Sequence, residues 1–122
     1  MIPILHKAGK KVYTHFDDKL ACVADLVAKT GIDGIESLTL PPEGDMQYAQ
    51  ARKIWPEKFL WSNISLGHYN LSDSELREKI KTYVHQAAPD GRNLAFAILE
   101  DIPSNWKTKI PVILETLAEI KL

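Results

Sequence analysis

Two rhythms of apolar and polar positions alternate along this chain. Short runs dense in β-branched, aromatic and aliphatic residues predict strands: "KVYTHF" (11–16), "IDGIESLTL" (32–40), "KFLWSNIS" (58–65) and "NLAFAILE" (93–100). Between them the apolar residues recur at helical spacing. "DKLACVADLVAKTG" places Leu20, Val23, Ala24 and Val27 on one face and ends on Gly31 as a stop. "GDMQYAQARKIWP" reads as a helix opened by Asp45 and closed by Pro56. In "SDSELREKIKTYVHQAAP", Ser72 and Glu75 form a capping box ahead of a stripe of Leu76, Ile80, Val84 and Ala87. "NWKTKIPVILETLAEIKL" sets Ile110, Ile113, Leu114, Leu117 and Ile120 on one face, with Pro111 near the start of its regular part. "PDGR" is a turn and "LGHYNL" a loop. The first eight residues read as the tail of a helix stopped at Gly9, which raises the expectation of something upstream.

Strands that alternate with helices give a parallel sheet. Four βα units of roughly thirty residues make either a small doubly wound sheet or half of a (β/α)8 barrel. Nearly continuous apolar strands such as "LAFAIL" fit a sheet covered on both faces or a barrel stave. No linker or low-complexity segment divides residues 1–122, so the reading is one domain.

Composition narrows the function classes. Hydrophobic residues are 45% and charged residues 25% of 122, enough to build a core. A net charge of −1 gives no support for nucleic acid or an anionic membrane surface as partner. No apolar run approaches a membrane span, and the N-terminus lacks the pattern of a signal peptide. The expectation is a cytoplasmic protein. The single cysteine, Cys22, excludes an internal disulfide and reads as a small buried helix residue. No G-x-G-x-x-G or Walker loop follows a strand, so nucleotide binding lacks a signature.

The chemistry sits where strands stop. The four predicted ends read His15-Phe16-Asp17-Asp18, Glu36-Ser37, Ser62-Asn63 and Glu100-Asp101. In parallel α/β folds ligands bind at the carboxyl ends of strands. Singly, each group has an ordinary structural role: Asp17 or Asp18 as a helix cap, Glu100-Asp101 as a turn, Asn63 as a backbone bridge. Four in phase at one end of a sheet point to a common pocket for a small-molecule substrate. His68 and Tyr69, in the loop after the third strand, are candidates for its mouth. His85 reads as a surface helix residue, Trp61 as barrel or helix-packing core, and Trp55 and Trp106 as packing at helix ends.

The same strand ends carry a resemblance. From "HKAGKKVYTHFDD" through "TGIDGIESLTLPPEGD" and "KFLWSNIS" to "SDSELREKIKTYVHQAAPDGRNLAFAILEDIP", the chain resembles the later half of the uroporphyrinogen decarboxylase superfamily. That family's pattern runs through a strand ending in His-x-Cys, an "aGiDgie" strand and a Gly-Asp ahead of a helix. A "G-N" strand end, a Ser- or Thr-capped acidic helix and a last strand with a polar residue before Pro complete it. The order and spacing, rather than any one motif, carry the likeness.

The resemblance implies a (β/α)8 barrel of which this chain supplies the last four βα units. It also implies either cofactor-free decarboxylation or zinc-dependent methyl transfer involving a corrinoid or thiol. His15 matches the family's metal-ligating His. Asp17 stands at the first Cys position. Glu100 stands where methyltransferases have Cys and decarboxylases have His. On this resemblance His15, Asp17 and Glu100 form a set for a divalent metal, zinc or a harder ion, since carboxylates replace thiolates. Glu36 is a further acid, either bonded behind a ligand or itself a fourth ligand, and Asn63 a substrate contact. Glu36 and Asn63 are thus the substrate-binding pair. The competing expectation is a truncated, non-catalytic family member. Its open half-barrel edges pair in a homodimer or with a missing N-terminal half-barrel.

Overall fold

Four parallel strands run side by side in the order β1-β2-β3-β4, each joined to the next through helix. The computed structural model describes residues 1–16, 18–98 and 101–121. The elements are α1 (Ile2–Lys7), β1 (Tyr13–His15), a 3₁₀ turn Ala21–Val23 leading into α2 (Ala24–Ala28), β2 (Gly34–Thr39), α3 (Tyr48–Ile54), β3 (Phe59–Asn63), a 3₁₀ segment Leu66–Asn70, α4 (Asp73–Ala87), β4 (Leu94–Ala97) and α5 (Trp106–Glu119). Sequence order equals spatial order, so the sheet lacks the reversal that defines a doubly wound fold. Right-handed crossovers that always step the same way place their helices on one face.

Burial follows from that topology. Ile35, Leu38 and Leu60 point into the helix layer and are fully buried with Trp55, Tyr48, Leu76 and Ile80. The opposite face carries Tyr13, His15 and Trp61, all exposed. Tyr13 and Phe59 meet edge to face at 5.7 Å across Gly34, their neighbour in register. A Cβ at residue 34 would lie 2.7 Å from the Phe59 carbonyl oxygen and press on the Tyr13 ring, so only glycine fits.

Several local expectations need correction. α1 ends as expected: Gly9 is left-handed, Lys10 N–H donates to the Leu5 carbonyl and Gly9 N–H to that of His6. Gly31 is not the stop of α2. The helix ends at Ala28, and the Thr30 hydroxyl donates to the Val27 carbonyl at 2.7 Å. Gly31 instead lies against Ile2. Cys22 is exposed, because it falls off the stripe of Leu20, Ala24 and Val27, which is buried. Asp45 does not open α3, which starts at Tyr48 behind Gln47. Its Oδ1 accepts from Leu20 N (2.8 Å) and Ala21 N (3.0 Å), capping the turn after β1 from across the fold. Asp18, at φ 59°, is outside the extended conformation a cap needs.

α5 begins at Trp106, five residues ahead of Pro111, which sits inside it. Its buried face is Val112, Ile113 and Thr116, while Leu114 is 60% exposed. The capping box and the stripe of α4 form as expected. β4 ends at Ala97, shorter than the predicted run, and Leu99 and Glu100 lie outside the described residues.

At the N-terminal end of the sheet, Asp33 gathers Lys11 Nζ (2.9 Å), His6 Nε2 (2.8 Å) and Val12 N–H (2.8 Å). The Lys11 hydrogen bond and then the Val12 amide hold its carboxyl far below the usual carboxylate range. A depressed carboxyl stabilises the fold above its unfolded value, about 3.9, and that contribution drains as pH falls below it. Asp33→Asn is expected to be less stable at neutral pH. Its stability should also fall less steeply than the parent's as pH drops below about 4. Parallel acid limbs in pH-dependent urea titrations would place the acid sensitivity elsewhere.

Candidate functional site

The C-terminal ends of the strands converge on a cleft of about 420 Å³. Register explains the convergence. His15, Glu36, Trp61 and Ala95 are neighbours in one row across the sheet, and Thr39, Asn63 and Ala97 form the row above. Residues in one row of a parallel sheet point to the same face. Here that is the face without helices.

β2 then breaks its own alternation. A bulge between Glu36 and Leu38 puts Ser37 at φ 68°. The extra residue lets Glu36 and Ser37 both line the cleft while Leu38 returns to the core. A left-handed serine costs about 1 kcal/mol, and such positions gather at functional sites.

His15 Nδ1 is hydrogen-bonded to the Glu36 carboxylate. Asn63, 7% exposed, donates through Nδ2 to Ser37 Oγ at 2.7 Å and to Thr39 Oγ1 at 3.4 Å. Thr39 spends its proton on the Ser37 carbonyl (3.1 Å), so it can only accept from Asn63, and this fixes the amide's orientation. Glu43 enters from the loop after β2 and accepts the Ser65 hydroxyl at 2.8 and 3.0 Å. Trp61, Leu66, Ala97 and Ile98 supply apolar surface, and Asp101 a further carboxylate.

Of the residues singled out in the sequence, His15, Glu36 and Asn63 line this cleft. Asp17 and Glu100 lie outside the described residues. Among the described residues no group of three or more His, Cys, Asp or Glu is gathered to hold a metal ion. The described part of the rim supplies His15 and Glu36, already bonded to each other, so a metal set needs ligands beyond them.

Trp61 is not helix-packing core; at 43% exposure it is a wall of the cleft. Glu43 has no motif to mark it, although "PPEGD" directly follows a strand's carboxyl end, where binding loops sit. His68 and Tyr69 do not line this cleft. Tyr69 is buried, and His68 bonds Tyr83 Oη at 2.7 Å through Nε2 in a separate groove beside α4. Burial there lowers the His68 pKa. That groove, about 540 Å³, is larger but is lined mainly by polar side chains of the α4 surface. The strand-end cleft is the stronger candidate because buried polar groups from different strands converge on it.

No family model matches the sequence, and no curated protein matches it. Among the described residues no helix is long and apolar enough to cross a membrane.

Proposed function

We propose that this chain is the C-terminal half of a uroporphyrinogen decarboxylase-like (β/α)8 barrel, a lyase or metal-dependent methyltransferase with its pocket in the strand-end cleft. One observation carries the reading: His15, Glu36 and Asn63 share a cleft at the carboxyl ends of consecutive parallel strands. In this reading Glu36 orients the His15 ring, and the pair holds a proton at a defined place beside the substrate. Asn63, braced by Ser37 and Thr39, positions the substrate. A divalent metal held by His15, Asp17 and Glu100 belongs to the methyltransferase branch, where it would act as a Lewis acid.

Metal analysis of the purified protein beside His15→Ala tests that branch. Bound divalent metal in the parent and its loss in the variant is the expected result. Equal, negligible metal in both removes the metal set and leaves the lyase branch.

A second reading rests on the uncovered sheet face. β1 and β4 have open edges, and Tyr13, Trp61 and Ile98 stand exposed beside them. Open edges and apolar surface favour association, so a non-catalytic chain would pair with a second copy or with an N-terminal half-barrel. Light scattering decides on self-pairing: a dimer is expected under this reading, and a monomer at all accessible concentrations ends the homodimer.

A further inference from the structure

The cleft is lined by acceptors and negative charge. Glu36, Glu43 and Asp101 contribute three carboxylates, set against His15 alone, and no Lys or Arg lines it among the described residues. Glu43 is bonded only to the Ser65 hydroxyl, and Asp101 has no partner among the described residues. Excess charge of one sign in a walled cleft raises the local concentration of the opposite ion.

A second observation is independent of the carboxylates. Asn63 is more than nine-tenths buried and lines the cleft with both its amide protons directed at Ser37 and Thr39. Among the described residues its Oδ1 has no hydrogen-bond partner, and an amide oxygen can only accept. A third is Trp61, whose indole stands exposed between Glu36 and Ala95 in register. An exposed indole face attracts cations and apolar rings.

From these we infer that the cleft binds a small organic cation: an ammonium group with N–H donors, bonded to Asn63 Oδ1 and the carboxylates, whose apolar part rests on Trp61 and Ile98. The inference rests on the cleft being the functional pocket. It narrows the substrate class, because a polycarboxylate would meet three carboxylates against the single His15 ring among the described residues.

The test is a ¹⁵N-NMR titration of the full chain with three matched probes, benzylammonium, benzyl alcohol and benzoate, with EDTA present throughout. The amides of Glu36 and Ser37, the Asn63 side chain and the Trp61 indole are the reporters. Benzylammonium is expected to shift these signals saturably and to bind roughly tenfold tighter than benzyl alcohol, with benzoate weakest. Glu43→Gln should weaken benzylammonium several-fold while leaving benzyl alcohol unchanged, and Trp61→Ala should weaken both. Should benzoate shift the same signals as strongly as benzylammonium, the cationic class is overturned and the cleft remains the binding site. If all three probes leave the cleft signals unmoved, the inference and the proposed pocket fall together.

Discussion

Trp55→Ala is expected to lower the unfolding free energy by about 4 kcal/mol, the largest loss of any single side chain considered. Two costs combine. Trp55 is 1% exposed and is the largest fully buried side chain, so truncation opens a cavity that the rigid α2, α3 and β2 layer cannot close. Its indole N–H also donates to the Ala24 carbonyl at 3.0 Å, inside the core. Removing the donor leaves the Ala24 carbonyl only its bond within α2, a net loss of about 1 kcal/mol.

Trp55→Phe separates the two costs. It keeps most of the volume but not the donor, and should lose roughly 2 kcal/mol. Against a typical total of about 5–15 kcal/mol, the alanine variant would be marginal near body temperature. Urea titrations that read equal losses for the two variants would assign the whole effect to the hydrogen bond.

The site lies on the sheet that this packing supports. α2 and α3 cover the helix-side face of β1 and β2, the strands that place His15 beside Glu36. Loosening that layer is expected to weaken the register of the cleft before the fold is lost.

The strand–helix alternation was legible because both periods are strong, and the stripe of α4 lies where the spacing of Leu76, Ile80, Val84 and Ala87 put it. The features that differ from expectation have two causes: a partner that lies far away in sequence, or a local one that apolar spacing ignores. Asp45 looked like the cap of its own helix, but the orphan amides it meets belong to Leu20 and Ala21. Leu114 fits the apolar spacing of α5, yet the helix is rotated so that Thr116 is buried, its hydroxyl returned to the Val112 carbonyl. A helical wheel cannot see this, because the hydroxyl's local partner makes a polar residue as buriable as an apolar one.

For the cleft, the polar strand ends named His15, Glu36 and Asn63 in advance. The bulge at Ser37 was invisible, since a one-residue insertion leaves no compositional mark. The sequence predicts core for Trp61, because apolar strand residues are usually covered. Only the one-sided placement of the helices leaves it open.

Arg52→Ala is expected to cost about 3 kcal/mol, although no sequence rule marks the residue. Its guanidinium donates to five main-chain carbonyls. They are Ala87 at the end of α4 (2.5 Å), Trp55 and Pro56 after α3 (3.1 Å each), Lys58 before β3 (2.8 Å) and Asn93 before β4 (2.9 Å). One planar fork thus ties the exits of two helices to the entries of two strands. Burial lowers its pKa, which Asp90 and Glu57 oppose. The group is half-exposed, so water recovers part of the loss at Pro56 and Asn93. The carbonyls of Ala87, Trp55 and Lys58 are more enclosed, and their desolvation sets the magnitude.

Arg52→Lys keeps the charge but replaces the fixed fork with a point donor that cannot span five acceptors, so it should recover less than half of the loss. A lysine that restored full stability would show that charge, not geometry, is what matters there. Arg52 acts at the N-terminal ends of the strands, opposite the cleft, where parallel α/β folds place stability rather than chemistry. Arg52→Lys, if it remains folded at the titration temperature, should therefore bind benzylammonium as the parent does. The contrast with Glu43→Gln, weak in binding and near normal in stability, would separate the two ends of the sheet by measurement.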